Sequence, residues 1–87
     1  TADITKSVDI IDASTPAAMS LANGTAGQIK MFVSTSAPGA PVVVTPATPN
    51  GFTSVTFTTA GETCTLLYVD DTAGWSIIAV NRASVTL

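Results

Sequence analysis

Gln28-Ile29-Lys30-Met31-Phe32-Val33-Ser34 is the stretch on which the fold turns. Ile29, Met31 and Val33 take one parity, and Gln28, Lys30 and Phe32 take the other. That period of two is imposed by a pleated strand and matches no helix. Read this way, Lys30 has the parity of a solvated face and the aliphatic trio belongs to the core.

Working outward, the same signal recurs between turn residues. Ser7 to Asp12 forms a first candidate strand, with Val8 and Ile10 on one face and Asp9 and Ile11 on the other. Ala17 to Leu21 places Ala17, Met19 and Leu21 together before the Asn23-Gly24 and Gly27 turn. Val42 to Thr45 follows Pro41 and precedes Pro46 and Pro49. Prolines remove ladder donors, so this strand is expected at an edge or a bulge. Phe52 to Thr58 is a strand in which Val55 and Phe57 share a face. Phe52 falls on the opposite parity, which predicts a bulge near the strand start. Thr63 to Val69 and Trp75 to Val80 flank the hairpin loop Asp70-Asp71-Thr72-Ala73-Gly74, and Ser84 to Thr86 ends the chain as a short strand. Val, Ile and Thr dominate the strands, as a half-buried pleated surface favours. The fold class is therefore all-β: a small antiparallel β-sandwich or β-barrel of about seven to eight short strands.

Size and composition narrow the function. The chain has 87 residues, enough for one domain, and a chain this short buries only a little over ~60% of its unfolded surface. Its lone Cys64 cannot close an internal disulfide, and the absence of histidine excludes a Cys/His zinc site. Self-association is the remaining support for a thin core. Charged residues make up 10% of the chain, against ~25% in ordinary domains, and the net charge is −3. Three scattered cations, Lys6, Lys30 and Arg82, form no patch for nucleic acid or for anionic membrane. The mean hydropathy is +0.47, yet no apolar run approaches the roughly 18 residues of a spanning helix. The first thirty residues also lack the apolar stretch of a secretory signal. Thr1 is the kind of residue left after removal of an initiator Met, so the chain reads as a nearly whole gene product, with a cleaved precursor as the alternative.

Candidate chemistry is sparse. Without histidine, no Ser-His-Asp or Cys-His relay can form within one chain. A Ser-Lys pair would have to recruit Lys6 or Lys30, and an N-terminal Thr1 nucleophile has nothing to complete its site. Asp70, Asp71 and Glu62 carry oxygens suited to calcium, but their spacing is that of turn formers rather than of an EF-hand loop. Asp9 and Asp12 fall on opposite strand faces, against paired-carboxylate catalysis. Trp75 and Tyr68 could stack on a sugar or base; the plainer reading makes Trp75 a core anchor whose indole N–H finds a carbonyl. Cys64 reads as a buried, inert thiol. No cofactor and no metal are expected, and the chain does not read as an enzyme.

Three segments carry a resemblance: Leu21 to Lys30 (LANGTAGQIK), residues 51–58 (GFTSVTFT) and residues 61–80 (GETCTLLYVDDTAGWSIIAV). In this order they resemble a β-domain of tailed-phage virion proteins, of marine-phage and cyanophage type, found in capsid decoration (cement) proteins and in fibre or spike tips. The match spans roughly residues 20 to 85. It implies a structural protein without a catalytic or metal site, a homotrimer that binds the major capsid protein and clamps neighbouring capsid subunits on the outer surface of the virion, after synthesis in the host cytoplasm. The alternative is a receptor- or glycan-binding tip of a tail fibre. Residues 1–19 lie outside the resemblance and are set apart from the β-domain of residues 20–87, as an N-terminal arm or as a first strand. The arm would add to a neighbour's sheet edge, with Ile4, Val8, Ile10 and Ile11 as its candidate interface residues.

Overall fold

The computed structural model describes residue 2 and residues 4–87. Eight strands follow in chain order: β1 (Val8–Ile11), β2 (Ala18–Leu21), β3 (Gln28–Ser34), β4 (Val42–Pro46), β5 (Ser54–Phe57), β6 (Thr63–Tyr68), β7 (Trp75–Asn81) and β8 (Ser84–Thr86). They form two four-stranded sheets, ordered β1-β3-β6-β7 and β2-β4-β5-β8. The all-β reading and the sandwich alternative describe this architecture. It departs from a purely antiparallel plan at two places, because β1 runs parallel to β3 and β2 parallel to β4. The remaining neighbours are antiparallel.

Alternation along each strand supplies the core. Ile11, Phe32, Cys64, Leu66, Tyr68 and Trp75 come from the first sheet. Met19, Leu21, Val42, Val44, Val55 and Phe57 face them from the second. Phe32 and Phe57 meet across the layers with ring centroids 6.3 Å apart. At about 25 cal/mol per Å² of apolar surface, these side chains provide most of the favourable folding free energy.

Three sequence expectations are corrected. First, β4 is an interior strand, between β2 and β5. Its prolines do not interrupt a ladder: Pro41 precedes the strand, Pro49 lies beyond it, and Pro46 is its last residue. The N–H of Ala47, one residue on, donates to the Leu21 carbonyl at 2.8 Å and continues the pairing with β2. Second, Phe52 stands in no bulge. It precedes β5 and enters the core from the loop, while the register shift in the fold lies on the β6–β7 pair beside Thr65 and Leu66. Third, the parity of β3 is reversed. Lys30, Phe32 and Ser34 are buried, whereas Ile29 and Met31 are exposed.

The segment before β1 is tied to both sheets. The Ala2 N–H donates to the Ser20 carbonyl of β2 at 2.8 Å, and Gln28 Nε2 donates to the Ile4 carbonyl at 2.7 Å. The Met31 N–H then donates to the Ser7 carbonyl at 2.7 Å, where β1 begins to pair with β3 of its own chain.

Candidate interaction surface

The four strands β1, β3, β6 and β7 contain two charged residues, Asp9 and Lys30, and both point inward. Lys30 is fully buried. Its Nζ lies 3.1 Å from Asp9 Oδ2, donates to the Lys6 carbonyl at 2.9 Å, and sits 5.7 Å from the centroid of the Phe32 ring. Burying an ammonium is costly unless its charge is paired and its protons are bonded. Here a carboxylate, a carbonyl and an aromatic face supply that compensation.

Because alternation is strict, an inward Lys30 sends its neighbours outward. Ile29 and Met31 of β3 are exposed, as are Val8 and Ile10 of β1, with Ile29 52% and Ile10 59% accessible. Val8 pairs with Met31 and Ile10 with Val33, so these side chains form one continuous face. Leu67 of β6 pairs with Ile29 on the same side. On β7, Ile78 is the extra residue of the register shift and is 59% exposed. Val80, opposite the inward-facing Cys64, is exposed at the uncovered β7 margin.

The second sheet has the opposite character. Its outer positions are Ala18 and Ser20, Val43 and Thr45, Thr56, and Ser84 and Thr86, matched row by row across the ladders. Small and hydroxyl side chains suit a surface that faces water. A monomer seldom leaves a contiguous apolar patch of several hundred Å² uncovered. The aliphatic outer face of the first sheet is therefore the distinctive surface of the molecule.

Of the four interface candidates from the sequence, Val8 and Ile10 lie on this face. Ile11 is fully buried and Ile4 packs against the core, so both brace the segment from within. Sequence reasoning missed Ile29 and Met31 because it assigned β3 the wrong inward parity, and Ile78 because it did not place a register shift on β7. Phe32, the largest side chain of β3, shares Lys30's parity, and this was the available signal.

The other candidates are engaged elsewhere. Trp75 is fully buried; its Nε1 donates to the Ala22 carbonyl at 3.0 Å, and its ring meets Tyr68 edge-on with centroids 5.1 Å apart. Tyr68 is equally buried, so neither ring offers a stacking platform. Asp71 accepts from the Tyr68 hydroxyl at 2.6 Å, and Asp70 accepts from the N–H groups of Thr72 and Ala73. Glu62 is buried and accepts from the N–H groups of Thr58 and Thr59. The six residues of β6, about 20 Å, separate Glu62 from the two aspartates. Among the described residues no acidic cluster is arranged to hold a metal ion. Asp12 lies beyond β1 and caps its own turn, with Ser14 lowering its carboxyl pKa through side-chain and backbone hydrogen bonds. Burial pushes the Cys64 thiol up to about 11. The Thr1 nucleophile reading lies outside the described residues. Among the described residues no helix is long and apolar enough to cross a membrane.

A shallow open groove of about 600 Å³ lies between Ile4-Thr5 and the turn from Asn23 to Gln28. Gln28 crosses it, with Oε1 accepting from the Thr25 N–H and Nε2 donating to the Ile4 carbonyl.

The chain matches no protein-family model, no curated protein and no solved structure.

Proposed function

We propose that this protein is a structural component of a virion: a capsid decoration protein that binds and clamps neighbouring capsid subunits as a trimer. The observation that carries the reading is the uncharged aliphatic face of the β1-β3-β6-β7 sheet, held on a small, tightly hydrogen-bonded sandwich and suited to burial within an assembly such as the trimer. Such a surface acts by being covered, with no turnover. The resemblance of residues 21–30, 51–58 and 61–80 to tailed-phage virion domains supplies the identity of the partner, the major capsid protein. Repetition of the trimer's contacts on a capsid lattice makes modest single contacts sufficient through avidity. The full burial of Trp75 and Tyr68 takes aromatic stacking away from the fibre-tip alternative, which would have to bind through other side chains.

The test is to mix the purified protein with undecorated heads built from the major capsid protein encoded alongside it. Saturation at a fixed stoichiometry, with a rise in the melting temperature of the heads, is the expected result. A protein that ignores heads but binds host cells would replace this reading with the fibre-tip one.

A further inference from the structure

The geometry points to copies of this same chain as the occupant of the aliphatic face: the protein self-associates through the outer side of its β1-β3-β6-β7 sheet, with Ile10, Ile29, Met31 and Ile78 at the contact. This deepens the proposed function and rests on its self-association, not on its capsid partner.

Charge is the first argument for copies rather than an unlike protein. The only charged residues in these strands, Asp9 and Lys30, are paired in the interior. The face thus carries no sign with which to select a charged partner, and two identical faces meet without like-charge repulsion. Area is the second. The exposed parts of Val8, Ile10, Ile29, Met31 and Ile78 contribute on the order of 400 Å². The half-buried Val33 and Leu67 and the intervening threonines bring the face toward the ~800 Å² per partner of a standard interface. Copies closing about a threefold axis each bring the same apolar face to a shared centre, where one part of the face meets a different part of its neighbour's.

Preorganisation is the third argument. The exposed isoleucines and valine are β-branched and stand on paired strands, so little rotamer freedom is lost when they are covered. The hydroxyl-bearing outer face of β2-β4-β5-β8 has none of these properties and stays in water.

The experiment is solution mass by light scattering and sedimentation on the full chain, for the parent and three variants. Ile29→Asp tests the centre of the face, and Ile10→Lys tests its β1 margin, where a folding defect is least expected. Thr45→Asp places a charge on the other sheet as a control. The parent and Thr45→Asp should be oligomeric, whereas Ile29→Asp and Ile10→Lys should keep the parent's circular dichroism and weaken association at least about tenfold. A parent that stays monomeric at high concentration overturns the inference, as does a folded Ile10→Lys variant with the parent's mass. Head binding, measured separately on the same samples, keeps the two readings apart. A face-dependent oligomer that ignores heads upholds self-association and removes the capsid partner. A monomeric parent whose head binding is lost in Ile10→Lys assigns the face to the capsid and overturns self-association.

Discussion

Lys30 and Asp9 are diagonal neighbours on the inner face of the β1–β3 pair: Asp9 stands opposite Phe32, two residues along from Lys30, and the ammonium and carboxylate are 3.1 Å apart. The ion pair joins a parallel edge strand to the sheet and fixes its register. A slip of one residue would turn Asp9 to solvent and take the carboxylate away from the buried Lys30 ammonium.

Removing one partner should therefore cost far more than removing both. Asp9→Asn or Lys30→Met alone is expected to lower stability by about 2–4 kcal/mol, somewhat less than for a wholly buried pair because Asp9 keeps 17% of its side-chain exposure. Joint replacement by Asp9→Val and Lys30→Met should return to within about 1 kcal/mol of the parent. Urea unfolding of the four proteins measures this. Single variants within ~0.5 kcal/mol of the parent would show that the pair behaves like a surface salt bridge.

Alkaline pH should destabilise the fold. Burial raises the Cys64 thiol to about 11, and the Tyr68 hydroxyl is raised to about 12, first by its hydrogen bond to Asp71 and then by burial and the charges of Asp71 and Asp70. Between the ordinary thiol value of 9.0 and about 11 the unfolded chain has lost the Cys64 proton while the native state keeps it. Stability is then complete below pH 9 and falls as pH rises toward 11. The melting temperature of Cys64→Ala should fall less steeply over this window. Parallel curves for variant and parent would count against the thiol.

Trp75 is the only tryptophan in the chain, so its fluorescence reports one site. Emission should be blue-shifted and protected from iodide, and titration with oligosaccharides should leave it unchanged. Trp75→Phe leaves the Ala22 carbonyl without its donor and opens a small void, at a combined cost of about 2–4 kcal/mol. Solvent-like emission that iodide quenches would contradict the buried placement.

Two glycines separate strain from collision. Gly27 and Gly74 both have positive φ, 86° and 77°. A Cβ on Gly27 would meet nothing within 4 Å, whereas one on Gly74 would collide with the Thr48 backbone carbonyl and side chain. Gly27→Ala should cost about 1 kcal/mol from conformation alone. Gly74→Ala should cost more than about 3 kcal/mol, because that same Thr48 carbonyl accepts the Trp75 N–H that starts β7. Equal losses in chemical denaturation would leave the collision without effect.

Strand positions were legible because alternation and turn residues are local. The β6–β7 hairpin was read almost to the residue, since Asp70 and Gly74 determine its loop through nearby bonds. Orientation was harder. A period of two names two faces without saying which is inner, and in β3 both carry apolar residues. Deciding between them requires Asp9, twenty-one residues before Lys30, and a parallel pairing that nothing in either strand announces. The interior place of β4 was hidden for the same reason, because strand order is set by distant partners, and the prolines that argued for an edge sit at the strand's limits. Within the candidate surface, Val8 and Ile10 were visible as an apolar pair before Pro16, while Ile29 and Met31 became visible only once Lys30 was seen to be inside, and Ile78 only with the register shift of β7.

The strand order also bears on how the chain is made. Of these eight strands, β1 and β2 leave the ribosome before the rest, yet each is an edge strand whose neighbour, β3 or β4, lies later in the chain. Synthesis thus delivers two outermost strands first and the strands that receive them second, and parallel closure of this kind is slow beside a local hairpin such as β6–β7. In that interval the charge of Asp9 sits in the middle of β1 and discourages its addition to another nascent chain, until Lys30 emerges to neutralise it.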